Sequence, residues 1–140
     1  TRSPVRRAAL AVVAMTCLQV PHAGAQIAPR LDPLVRVVDL DLGEQATVQL
    51  SDGSSAKLEL LQLDERRDAV RNAVRLAVVT VKVNGQTADL VSANYHLPKE
   101  VGGIQIDCPV TQGYLDGSSQ RNVWALLKAA RLRVWPAGSP

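Results

Sequence analysis

The stretch VRLAVVTVKV at residues 74–83, followed at once by Asn84-Gly85, decides the fold class of this chain. Its β-branched residues favour extended backbone. Apolar side chains recur at every second position and so share one face of a strand: Ala77, Val79, Val81 and Val83. Asn-Gly is the strongest short signal for a two-residue hairpin turn. The sequence therefore predicts a strand over 74–83 that pairs with residues 86–93.

The residues before this hairpin show the same alternation. A run of five turn residues, 51–55, is flanked on both sides by apolar residues at alternate positions: Ala46, Val48, Leu50, Leu58 and Leu60. This pattern predicts a second hairpin. Leu61 and Leu63 then fall on the face opposite to Leu60, which predicts a bulge or a strong twist at that point.

The remaining segments complete an all-β pattern. Residues 35–42 alternate with one irregularity at Val38 and predict a first strand, whereas the charged residues 64–72 predict a solvated connection. Further strands are predicted at 104–106 and 131–135, with a short helix over 121–130. About seven short strands separated by turns predict a small antiparallel sandwich or an open barrel.

The N-terminal 25 residues have the order of a bacterial secretory signal peptide. Arginines at positions 2, 6 and 7 precede an apolar run over 8–18, and Ala-Gly-Ala follows at 23–25. The apolar run is shorter than the roughly 20 residues that span a bilayer, so we expect cleavage and no stable membrane span. This divides the chain into a signal peptide (1–25), a linker (26–33) and a β-domain (34–140), exported to the periplasm or the extracellular space.

The charge balance excludes one class of partner. Removing the three signal-peptide arginines from the 16 basic residues leaves 13, which equals the number of acidic residues. The exported part is therefore formally neutral, and the overall net charge of +3 comes from the signal segment. Because nucleic-acid binding usually needs an excess of basic residues, we expect no nucleic-acid partner.

Few residues of the exported part offer catalytic chemistry. A zinc site needs three or four converging ligands, and the domain has one histidine, His96, and one cysteine, Cys108. We therefore expect no catalytic residue, no metal site and no cofactor in this segment. A thiolate and imidazole pair is conceivable, but Cys108 precedes a proline at a predicted strand end, which favours a buried thiol. His96 is expected to tether its loop by a hydrogen bond.

The last predicted strand carries the candidate ligand-binding residues. Arg131, Arg133 and Trp135 would share one face of that strand, with Leu132 and Val134 on the other. Guanidinium groups beside an indole can hold an acidic glycan or peptide. The same arrangement also suits structural stacking, or contact with a following domain.

Three stretches resemble a known family. They are LDERRD at 63–68 leading to AVR at 73–75, NYHLP at 94–98 followed by VGGIQIDCP at 101–109, and RLRVWPAGSP at 131–140. Together they resemble the region upstream of the catalytic domain in secreted bacterial lysostaphin-type zinc metallopeptidases, which are murein endopeptidases. That family holds its zinc with His-x-x-x-Asp and His-x-His, and neither pattern occurs here. The resemblance therefore implies zinc in a longer parent protein and no catalytic residue in this segment.

Two functional hypotheses follow. The first is a non-catalytic accessory β-domain of an exported cell-wall metallopeptidase, a fragment that continues into a C-terminal peptidase domain and acts as a scaffold or positions peptidoglycan. The second is a free-standing secreted module that binds a glycan or a protein through Arg131, Arg133 and Trp135.

Overall fold

The structure is a computed structural model that describes residues 32–93, 95–116 and 125–140. The predicted signal peptide (1–25) and most of the predicted linker (26–33) lie outside the described residues. No helix in the described ranges is long and apolar enough to cross a membrane. The domain predicted over residues 34–140 is the part in which the architecture is described.

The described residues form strands and one short helix. The strands are β1 (Arg36–Leu40), β2 (Gln45–Gln49), β3 (Ser55–Arg67), β4 (Val74–Val83), β5 (Gln86–Ser92), β6 (Lys99–Val101), β7 (Ile104–Thr111) and β8 (Ala130–Pro136), and the helix is α1 (Gly113–Asp116). Seven of these strands correspond to the predicted ones. The short strand β6 was not predicted, because its three residues carry two charged side chains and no alternation.

Two antiparallel sheets of four strands each build the domain. Sheet I has the order β1-β8-β7-β6 and sheet II has the order β2-β3-β4-β5. The two sheets remain separate, so the predicted all-β fold is confirmed as a sandwich and not as a closed barrel. Both sheets direct their apolar faces into one aliphatic core, to which sheet II contributes Leu58, Leu60, Val79, Val81 and Val83 and sheet I contributes Leu40, Ile104, Ile106, Leu132 and Val134.

The Asn84-Gly85 turn is confirmed and does more than connect two strands. Asn84 has φ of 49° and Gly85 has φ of 89°, the positive values that a tight hairpin turn with right-handed strand twist requires. The Asn84 side chain accepts a hydrogen bond from the Lys57 backbone N–H at 2.8 Å and donates one to the Gly102 carbonyl at 2.7 Å. One turn residue thus joins β3 of sheet II to the β6–β7 turn of sheet I.

The prediction of a solvated connection over residues 64–72 was wrong for residues 64–67. Strand β3 continues to Arg67 and pairs with β4, with Asp64 opposite Val78 and Arg66 opposite Leu76. The predicted bulge is confirmed by a register shift between Leu60 and Gln62. These charged residues can lie in a strand because the side chains of Asp64 and Arg66 point to solvent. The half-buried Glu65 between them forms hydrogen bonds within the protein.

Glu65 connects the two sheets at one end of the sandwich. Its Oε1 atom accepts hydrogen bonds from the buried Thr111 hydroxyl at 2.8 Å and from the Gly113 backbone N–H at 3.1 Å. Its Oε2 atom accepts one from Arg67 at 2.9 Å. A Cβ atom on Gly113 would overlap this carboxylate, so only glycine allows this close approach without displacing it.

One further local expectation was corrected. Residues 125–129 of the predicted helix 121–130 are not helical: Ala125 lies in the left-handed region with φ of 48°, and the backbone N–H and carbonyl of Ala129 pair with Asp41 and Gln112 instead of with a helical turn. Residues 121–124 lie outside the described part. In β1 it is Val38 and Leu40 that face the core, opposite Leu132 and Ala130 of β8. Val37 points outward and is exposed.

We predict that Gly113→Ala destabilises the fold by about 1–3 kcal/mol, because the new methyl group displaces Glu65 from its partly buried hydrogen bonds. Urea unfolding of the parent chain and the variant measures this change, and Gln112→Ala, at an exposed neighbouring position, is the control. In a double-mutant cycle the cost should shrink when Glu65 is already alanine. Strictly additive effects of the two substitutions would contradict the role given to Glu65.

Candidate functional site

The predicted face of β8 is formed on one side of sheet I by Arg131, Arg133 and Trp135, and we name it the β8 face. Leu132 and Val134 are buried in the core, while Arg131 and Arg133 lie on the opposite face. Trp135 is only 8 % exposed and is not part of the main core cluster. The structure therefore brings the three predicted ligand-binding residues onto one strand, with the indole largely covered.

Both arginines of this face are held by acids on the neighbouring strands. Arg131 donates from Nε and Nη2 to the two carboxylate oxygens of Asp39 on β1, each at 2.7 Å. Arg133 donates from Nε to Asp107 Oδ1 on β7 at 2.8 Å and from Nη2 to Oδ2. These bidentate hydrogen bonds raise the pKa of both guanidinium groups.

The same pattern extends to the tryptophan. The indole N–H of Trp135 donates to the side-chain carbonyl of Gln105, its direct cross-strand neighbour on β7. Each of the three predicted ligand-binding side chains thus has an internal partner one strand away. An acidic ligand would have to compete with the carboxylates of Asp39 and Asp107 for the arginines.

Cys108 occupies a structural position. Its side chain is buried against the core, and its Sγ lies 3.6 Å from the Val110 carbonyl. Burial raises the pKa of the thiol to about 12, because a thiolate would lose its hydration there. The thiol therefore stays protonated at physiological pH and lacks the reactivity of a nucleophilic cysteine.

The loop between β5 and β6 has a different character. Tyr95 and Leu97 are almost completely exposed, at 103 % and 90 % of their maximal areas. Tyr95 also adopts φ of 66°, a conformation that costs a bulky residue free energy and that occurs preferentially at functional sites. Between them lies His96, also exposed, and within the described ranges its side chain forms no hydrogen bond, so the predicted tether is not found.

A cleft of about 110 Å³ opens beside this loop, between the edge of sheet II and sheet I. Its lining includes Asp89, His96, Leu97, Lys99, Ile106 and Asp107. Lys99 donates a hydrogen bond from Nζ to the Asp89 carbonyl at 2.8 Å, and Asp89 Oδ1 accepts one from the Thr80 hydroxyl at 2.7 Å. We name this set of residues, together with the exposed Tyr95, the loop cleft.

Sequence reasoning identified the NYHLP segment without assigning it to a cleft. The signal available was Tyr95 and Leu97 flanking a histidine in a segment without alternation, ahead of Pro98. No sequence pattern indicates that Asp89 and Asp107 lie beside this segment. Their proximity to it depends on how β5 and β7 pack across the sandwich.

The part of the chain that the structure describes contains no group of three or more His, Cys, Asp or Glu side chains placed to hold a metal ion. Comparisons with protein-family models, with characterised proteins and with solved structures found no match for this chain. No relative therefore assigns a role to the β8 face or to the loop cleft.

We predict that Cys108 resists thiol reagents at pH 8 in the folded protein. The other cysteine of the chain, Cys17 in the predicted signal peptide, is replaced by serine so that only Cys108 can react. This variant should react with a chromogenic disulfide only when urea unfolds it, because the pKa near 12 keeps the native thiol protonated and burial blocks access. Unfolding monitored by fluorescence and labelling should coincide. Stoichiometric labelling of the native protein within minutes would show that the thiol is accessible and reactive.

Proposed function

We propose that this chain is a non-catalytic accessory β-module of an exported cell-wall metallopeptidase, which contacts the peptide part of peptidoglycan and positions it for a catalytic domain. The proposal joins the signal-peptide pattern of residues 1–25 to the resemblance of three stretches to lysostaphin-type enzymes. Zinc would belong to the catalytic domain of the parent protein, and the module itself would supply no ligand to it.

The proposal rests on a contrast between side chains that are buried or bonded within the domain and side chains that are exposed to solvent. The reactive side chains of the core and of the β8 face hold the fold together: the Cys108 thiol is buried and the arginines are paired with Asp39 and Asp107. In the β5–β6 loop, by contrast, Tyr95 and Leu97 present apolar surface to solvent. Exposed aromatic and aliphatic side chains beside a polar cleft are typical of a surface that contacts a partner.

The test measures binding and hydrolysis on the same sample. The full chain should sediment with insoluble peptidoglycan, and it should release no soluble peptide with or without added zinc. The variant carrying Tyr95→Ser and Leu97→Ser should sediment several-fold less, whereas Leu61→Ser, an exposed leucine on β3, serves as the matched control. Peptide release that a chelator abolishes would overturn the non-catalytic assignment.

The β8 face supports a second candidate function, a free-standing module that binds an acidic glycan or protein. Arg133 is 46 % exposed in its side chain although Asp107 holds its donors, so a ligand can still reach it. In this case Arg133→Ala should reduce the fraction of protein that sediments with peptidoglycan, and the variant carrying Tyr95→Ser and Leu97→Ser should not. The same sedimentation assay therefore separates the two surfaces.

A further inference from the structure

The loop cleft contains hydrogen-bond donors that the fold leaves unused. Both carboxylate oxygens of Asp107 accept from Arg133, and Asp89 Oδ1 accepts from Thr80. The ammonium group of Lys99 uses one of its three protons on the Asp89 carbonyl, and the imidazole of His96 has no hydrogen bond within the described residues. The cleft is therefore best complemented by a group that accepts hydrogen bonds.

The size of the cleft limits what can enter it. Its volume of about 110 Å³ lies well below the roughly 300 Å³ at which pockets for drug-sized ligands begin. A carboxylate with its neighbouring carbon atoms fits this volume. The cleft therefore suits a small terminal group of a larger molecule, the rest of which can extend into solvent.

The surroundings of the cleft indicate what that larger molecule offers. Tyr95 and Leu97 provide exposed apolar surface at the rim, which suits small aliphatic side chains. The Asp89 carboxylate points to the outer face of sheet II beside Thr80, so only the backbone carbonyl of Asp89 contacts Lys99 at the cleft. A peptide terminus supplies a carboxylate acceptor and aliphatic carbon together, and inorganic phosphate supplies only the acceptor.

We infer that the loop cleft binds the C-terminal carboxylate of a short peptide, with Lys99 and His96 as donors to the carboxylate and the exposed surface of Tyr95 and Leu97 against the adjacent aliphatic side chain. This inference rests on the proposed function, for which it names the recognised part of the cell-wall peptide. Other peptide-binding domains capture terminal carboxylates with backbone N–H groups. Here the Lys99 ammonium would supply a charge-assisted hydrogen bond, which is stronger than a neutral one.

The probe is N-acetyl-alanyl-alanine with a free carboxylate, compared with its C-terminal amide and with inorganic phosphate. Titrations of the full chain, followed by NMR chemical shifts, should give a dissociation constant at least about tenfold lower for the acid than for the amide, since a charge-assisted hydrogen bond is lost in the amide. Lys99→Gln and His96→Ala should each weaken binding of the acid about fivefold or more. Lys82→Gln, an exposed lysine on β4, is the matched control and should leave binding unchanged.

Equal affinities for the acid and the amide would overturn the inference, as would phosphate binding as tightly as the peptide acid, or unchanged binding in both Lys99→Gln and His96→Ala. The outcome is distinguishable from failure of the proposed function. A parent chain that sediments with peptidoglycan but ignores the peptide acid contradicts the inference alone. A parent chain that binds the peptide acid but never sediments with peptidoglycan contradicts the cell-wall function alone.

Discussion

One aliphatic layer, shared by both sheets, is the constraint on which the rest of the structure depends. The protein has no phenylalanine, and the described space between the sheets is filled mainly by Leu, Ile and Val side chains, with Ala56, Ala130 and Cys108 among them. Val81 of sheet II and Leu132 of sheet I are fully buried in that layer. Because side chains alternate along a strand, fixing these residues inward fixes their neighbours outward, and every polar group of the sandwich takes its position from the core.

The polar groups then determine how the two sheets meet at their ends. Hydrogen bonds of Glu65 link β3 to the end of β7 and the segment after it. A hydrogen bond of Asn84 links the β4–β5 turn to Gly102. Each replaces water around a backbone or carboxylate group with protein hydrogen bonds, which would be costly to leave unmade. Because the alternation that buries Leu132 turns Arg131 and Arg133 outward, the arginine face is also a consequence of the core.

The sequence predicted features that depend on local patterns and missed those that depend on packing between the sheets. The alternation over 74–83, the Asn84 turn and the bulge after Leu60 are local, and all three are confirmed. The extension of β3 through Glu65 was missed because Thr111, which satisfies this half-buried carboxylate, lies far away in the sequence. The loop cleft was missed for the same reason, since it unites residues of β5, β6 and β7. Signal peptide, cell-wall target and parent enzyme stay predictions of the sequence and of the family resemblance.

The central claim is that the β5–β6 loop and its cleft, and not the arginine face of β8, form the contact surface of this module. Hydrogen exchange measured by mass spectrometry, on the full chain with and without soluble peptidoglycan fragments, tests it most directly. We predict slower exchange over residues 86–101, with exchange in β1 and β8 unchanged. Protection confined to β1 and β8, with none in the β5–β6 loop, would contradict the account.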